Sequence, residues 1–209
     1  MYSANRKLGM QLYVKNADGS GSEKEVTDLG LGLMVNAWDW SRDGKYALFR
    51  KRNELWYFSW PERAAKPLIQ ANWTVQNAHF SPDGRWVVYA SNETGNMEIY
   101  VSTFPSGDGK WQVSSAGGQE PRWRQDGKEL FYLSAKMMAA AVTPGASFKA
   151  GSPVALFQTT HRRQPISAQD RFSYDVSGDG QRFLINTKLD EANVAPLSIL
   201  LNWASEMEK

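Results

Sequence analysis

The sequence predicts an all-β protein, a β-propeller built of four-stranded antiparallel blades. Three observations predict it: an Asp-Gly turn element that recurs four times, strand-length apolar segments between the copies, and many large aromatic residues. The 9 Trp, 8 Tyr and 9 Phe suit pleated surfaces, and 17 Gly with 9 Pro supply turns. No long segment carries a 3.6-residue apolar period, and Gly or Pro interrupts almost every window of helical length.

The turn element reads Ser-Arg-Asp-Gly-Lys-Tyr-Ala-Leu-Phe at 41–49 and Ser-Pro-Asp-Gly-Arg-Trp-Val-Val-Tyr at 81–89. It returns as Arg-Gln-Asp-Gly-Lys-Glu-Leu-Phe-Tyr at 124–132 and Ser-Gly-Asp-Gly-Gln-Arg-Phe-Leu-Ile at 177–185. The Asp-Gly pairs begin at Asp43, Asp83, Asp126 and Asp179, spaced by 40, 43 and 53 residues. In the second copy Pro82 presets a type I turn, Asp83 suits the next position, and Gly84 supplies the left-handed residue that closes a hairpin. Arg42 and Gln125 replace the proline elsewhere and weaken those turns without abolishing them.

The aromatic before each turn (Trp40, Phe80, Trp123, with Val176 in the fourth copy) ends a first strand, and the apolar run after it is a second. Third strands follow at 55–58, 99–101 and 138–142, matched by 12–14 and by Ile199-Leu200-Leu201. Fourth strands follow at 26–27, 68–69, 111–113 and 154–157. Four short strands in about 42 residues make one blade. Tyr2 to Asn5 aligns with Tyr89 to Asn92, so the first unit begins within its second strand. The units are a partial one at about 1–35, then 36–75, 76–117, 118–158, and a last one within 159–209, all in a single domain.

Charge and composition narrow the function classes. With 24 Lys+Arg against 22 Asp+Glu the net charge is +2, a near balance that gives no reason to expect a nucleic-acid partner. Cysteine is absent, excluding disulfides and thiolate chemistry. No apolar run reaches the roughly 18–20 residues of a membrane span, so no direct membrane insertion is expected.

The aromatic, the Ser-Pro-Asp-Gly-Lys/Arg-type turn and the following apolar strand resemble the TolB-like, WD-repeat-like propeller family across nearly the whole chain. The ending 175–186, followed by Leu200-Leu201-Asn202-Trp203, is most similar to the C-terminal propeller half of bacterial membrane-anchored Ser/Thr kinases. The resemblance implies an extracytoplasmic (periplasmic or outer-surface) location and a six-bladed ring, which needs about 250 residues. An open arc, or a piece of a larger protein, is therefore expected, with blade edges able to support self-association. Two functions follow: a non-catalytic protein- or peptide-binding or sensor module, or an accessory propeller of a larger enzyme. That enzyme would be a receptor-like Ser/Thr kinase or a prolyl-oligopeptidase-like protease whose substrates the propeller gates.

No nucleophile elbow, phosphate loop, metalloprotease helix or kinase motif is present, so neither catalysis, a cofactor nor a metal is expected. The Asp-Gly stretches 16–21 and 106–109 lack calcium-loop spacing and read as hairpin turns. The sharper candidates are Asp39, His79, Arg122 and Asp175. Each lies one residue before the last residue of a first strand, between two residues of the opposite face. In a propeller the first strand lies nearest the axis, so these four form a polar ring in the channel. Such a ring either binds a polar ligand or a partner's tail, or neutralises itself around channel water. Loops entering the first strands supply a second set, Asn77, Glu120, His161, Arg162 and Arg163, at the channel mouth. The basic loop at 159–170 suits an acidic partner or, equally, a solvated connection. Glycan binding by exposed tryptophan is a third reading, opposed by the strand positions of most of them.

Overall fold

The computed structural model describes residues 2–6, 9–26, 35–143, 145–158 and 172–186. Among these, every regular element is a strand. The strands β1 (Tyr2–Arg6), β2 (Gly9–Val14) and β3 (Lys24–Glu25) form a three-stranded sheet. A four-stranded meander follows, with β4 (Val35–Trp40), β5 (Tyr46–Lys51), β6 (Glu54–Ser59) and β7 (Ala64–Ile69). The next repeats it with β8 (Val75–Phe80), β9 (Trp86–Ser91), β10 (Glu98–Thr103) and β11 (Lys110–Gln112).

The fourth sheet holds β12 (Gln119–Trp123), β13 (Glu129–Leu133) and β14 (Lys136–Thr143). Its outer strand is split: β15 (Lys149–Ala150) pairs with one end of β14 and β16 (Val154–Gln158) with the other. The last sheet has β17 (Tyr174–Val176) and β18 (Phe183–Ile185). The candidate strand Ile199–Leu201 lies outside the described residues.

All four Asp-Gly elements close as the sequence predicts. The glycine N–H of Gly44, Gly84, Gly127 and Gly180 bonds the carbonyl three residues back at 2.8–2.9 Å. Their φ angles of 71–75° lie in the left-handed region that glycine enters without a Cβ clash. In the three copies that begin with serine, its hydroxyl donates to the aspartate. That bond is the main reason the Asp43 carboxyl lies below its usual range. The fourth copy has Arg124 instead, whose guanidinium grips Asp126 with two bonds of 2.7 and 2.8 Å and draws it down to about 2. The stretches at 16–21 and 106–109 are turns as well, with Asp18 and Asp108 accepting from Ser20 and Ser106.

Side-chain alternation then packs the sheets face to face. In β9, Val87 and Tyr89 join Leu48, Leu55 and Val75 on one side, while Val88 and Ala90 join Ile99, Leu130 and Tyr132 on the other. In β13, Leu130 and Tyr132 face back, and Phe131 and Leu133 face forward to Tyr174 and Phe183. The first interface is closed by Leu12, Val35, Phe49 and Phe58. Every tryptophan among the described residues whose burial is given is buried or half-buried, which supports the core reading over glycan binding. The sheets follow chain order, and among the described residues no core cluster joins the first sheet to the last. The described residues form an open arc of propeller blades, with Val154, Leu156 and Phe157 exposed on the outer strand of the fourth sheet and Leu184 on β18.

Candidate functional site

The first strands β4, β8, β12 and β17 are the edge strands on one side of their sheets, and β8 lies against both β4 and β12. Each presents its polar residue from the position beside the Asp-Gly turn, and the structure brings all four predicted ring residues together. Asp39 Oδ2 stands 3.4 Å from His79 Nδ1. His79 Nε2 is 2.9 Å from Arg122 Nη1, and Arg122 Nε is 3.8 Å from Asp175 Oδ1. One residue from each of four successive sheets thus forms a continuous polar chain.

Donor and acceptor rules fix the roles. A guanidinium only donates, so His79 Nε2 accepts and the imidazole proton sits on Nδ1, toward Asp39. The imidazole is neutral, and burial holds its pKa below the ordinary value even though Asp39 pulls the other way. Both ring nitrogens are engaged, so His79 has no lone pair free to take a substrate proton. Asp39 is anchored further by the Trp40 N–H at 2.8 Å and the Phe80 N–H, across the sheet boundary, at 2.9 Å. Phe172 lies under the guanidinium, 3.8 Å from its ring centre to Cζ, and tilts against His79. Sequence reasoning missed Phe172; an aromatic three residues ahead of a ring residue was the available signal.

A cleft of about 280 Å³ opens over this chain, lined also by Arg42, Pro82, Gln125 and Gly178. Its walls are therefore the Asp-Gly turns, not the loops that enter the first strands. The reason is positional: the ring residues stand next to the turn end of their strands. Arg42 crosses between sheets to bond the Gln125 carbonyl at 3.2 Å.

The mouth-loop assignment of Asn77 and Glu120 is corrected. Both lie within first strands, β8 and β12, and both are buried. They occupy bulges, with φ of 55° and 53°, where the ladder slips between Gln76 and His79 and between Gln119 and Arg122. A bulge inserts a residue and re-aims the side chains after it, so these positions turn His79 and Arg122 toward their neighbours. The ladder of β4 slips at the matching place, between Ala37 and Asp39. Pro121 inside a strand run was a legible sign of the irregularity. Glu120 meanwhile accepts both the N–H and the hydroxyl of Ser173, tying the fourth sheet to the last. His161, Arg162 and Arg163 lie outside the described residues. At the opposite end of the strands a wider groove of about 550 Å³ runs past Asn96, Gly117, Gly118 and Ser134.

No family model and no curated protein matches the chain. Solved structures do. The chain is similar to a TolB-like protein of Agrobacterium tumefaciens, with TM-score 0.55 and 19% identity over 73% of this chain and 60% of that one. It is similar to TolB of Acinetobacter baumannii, with TM-score 0.61 and 18% identity over 87% of this chain and 44% of that one. A puromycin-hydrolyzing peptidase of Mycobacterium tuberculosis gives TM-score 0.59 and 15% identity over 85% of this chain and 34% of that one. The chain thus spans less than two thirds of the length of each. Recurring Asp-Gly hairpins, meander sheets packed through both faces and these likenesses agree: the chain has the fold of a TolB-like β-propeller, of which the described residues form an open part.

Proposed function

We propose that the protein is a non-catalytic interaction module that receives a protein or peptide segment on the face bearing the Asp-Gly turns. The observation that carries this reading is the four-residue chain beneath the turn-lined cleft. Its polar groups converge from separate sheets on one concavity, the pattern by which binding sites orient a ligand. The engagement of both His79 nitrogens favours binding over proton transfer. An extracytoplasmic location accords with the sequence resemblance. Self-association through open blade edges is supported by the exposed edge strand β16 and by Leu184 at 79% exposure.

The test is selection of displayed random peptides on the immobilised chain, with selected peptides re-measured on an Arg42→Glu, Gln125→Glu variant. Enriched peptides that lose about tenfold or more in affinity support the turn face as the docking surface. Peptides that bind both proteins equally overturn it.

A second reading, an accessory propeller of a larger enzyme, is supported by the peptidase neighbour and by the share of the solved structures that the chain spans. The kinase-type ending supports the same reading, and residues 175–186 of it fall in the described last sheet and its flanks. The sequence encoded on either side of these residues tests it: a kinase domain with a membrane span ahead, or a hydrolase domain after, is the expected form.

A further inference from the structure

We infer that Arg122 is a carboxylate-binding fork covered by Asp175, and that the ligand of the turn face presents a carboxylate that takes the place of Asp175. The inference rests on the interaction reading and names the group recognised. Of the guanidinium donors, Nη1 is engaged by His79 at 2.9 Å. Nε is buried and has no hydrogen-bond partner, and no bond is made by Nη2 among the described residues. Nε and Nη2 are the two donors of the side-on edge, whose parallel N–H groups match the two oxygens of one carboxylate. Phe172 stacks at 3.8 Å from Cζ, covering a face of the guanidinium and leaving its edge as the binding direction.

Asp175 is the natural occupant of that edge, yet it does not engage it. Its Oδ1 remains 3.8 Å from Nε, beyond hydrogen-bond length, and accepts instead from the Val176 N–H at 3.0 Å. The contrast with Asp39, its counterpart in the second sheet, is informative. Asp39 is pinned by the N–H of Phe80 from the next first strand and is 28% exposed in its side chain, against 69% for Asp175. A buried donor without an acceptor is a standing cost that an arriving carboxylate removes. A lysine at this position would offer a single ammonium without the fork.

Two sources carry this chemistry, a chain terminus and an acidic side chain, and the probes separate them. The whole protein is titrated at low salt with three peptides while the Nε–H signal of Arg122 is followed by 15N NMR. They are an acetylated dialanine with a free C-terminal carboxylate, an amidated acetyl dipeptide with one glutamate, and its glutamine counterpart.

A saturating shift with either carboxylate probe and none with the glutamine peptide is expected. Asp175→Asn is expected to tighten the carboxylate probe about three- to tenfold. Arg122→Lys is expected to weaken it at least tenfold with the melting cooperativity retained, and Arg122→Gln provides a second variant if lysine perturbs the fold. An unmoved Nε–H signal, equal shifts with the glutamine peptide, or an Asp175→Asn variant that binds no better overturns the inference. Peptides selected on the turn face whose affinity ignores Arg122 would sink this inference and leave the docking face standing. Carboxylate binding at Arg122 with no selected peptide does the reverse.

Discussion

The third sheet and the last sheet contain the same turn in different surroundings. Gly84 and Gly180 have φ of 71° and 75°, and each turn is closed by the same serine-to-aspartate bond. Yet β8 and β9 are buried at every residue, whereas in β18 Leu184 is 79% exposed and no residue is buried. Turn geometry is therefore a local property that the Ser-x-Asp-Gly sequence imposes alone. Burial is supplied by neighbours: the third sheet has one on each side, and the last packs on the fourth through Phe183 against Phe131 and Phe157.

The largest expected effect separates the two sheets by packing. Ile99→Ala, at a fully buried position of the third sheet, is expected to cost about 2–5 kcal/mol in urea unfolding. Leu184→Ala is expected to stay within about 0.5 kcal/mol. Similar losses at both sites would mean that the last sheet is covered in solution. Next comes the tie between sheets. Glu120→Ala removes the acceptor of the buried Ser173 N–H and hydroxyl and is expected to cost about 1–3 kcal/mol, with Glu120→Gln recovering part of it. An unchanged midpoint for the alanine variant would show that the last sheet is held by its aromatics alone.

A finer test compares the two glycines. Each alanine substitution forces a left-handed residue, at roughly 1–2 kcal/mol. At Gly84 the new methyl meets nothing within 4 Å, but at Gly180 it lands 2.7 Å from Arg124 Cδ, so Gly180→Ala is expected to be the more harmful. Equal losses at the two glycines would show that Arg124 yields without cost. The smallest effect concerns pH. Burial depresses the folded pKa of His79 below the ordinary 6.5, with Asp39 opposing, so the unfolded chain binds a proton first as pH falls. Its contribution is complete above about pH 6.5 and declines from there toward the folded value. His79→Gln is expected to flatten the melting temperature between pH 7 and 5, and an identical slope in both proteins would remove His79 from that titration.

Much of this was legible in the sequence because it is local. Turns at Asp43, Asp83, Asp126 and Asp179 follow from residue type, and alternation along Val87 to Ala90 foretells two packed faces. The coming together of Asp39, His79, Arg122 and Asp175 was legible too, since equal register in repeated strands puts equivalent residues at equal depth. What escaped depends on ladder register between strands. Asn77 and Glu120 read as loop because they precede the apolar ends of β8 and β12, and a bulge becomes visible only when pairing is counted. The outlook of the cleft toward the turns escaped for a similar reason: a residue's distance from each end of its strand was not weighed.

The bond from Glu120 to Ser173 reaches beyond the two residues it joins. Cut the polypeptide after Gln158 and the carboxylate loses both of its donors, while the face that the last sheet covered is opened to water. Such a shortened protein also uncovers Phe131 and Leu133, which face the last sheet, and should associate with itself more readily. Each blade is in this sense an unfinished object that its successor completes.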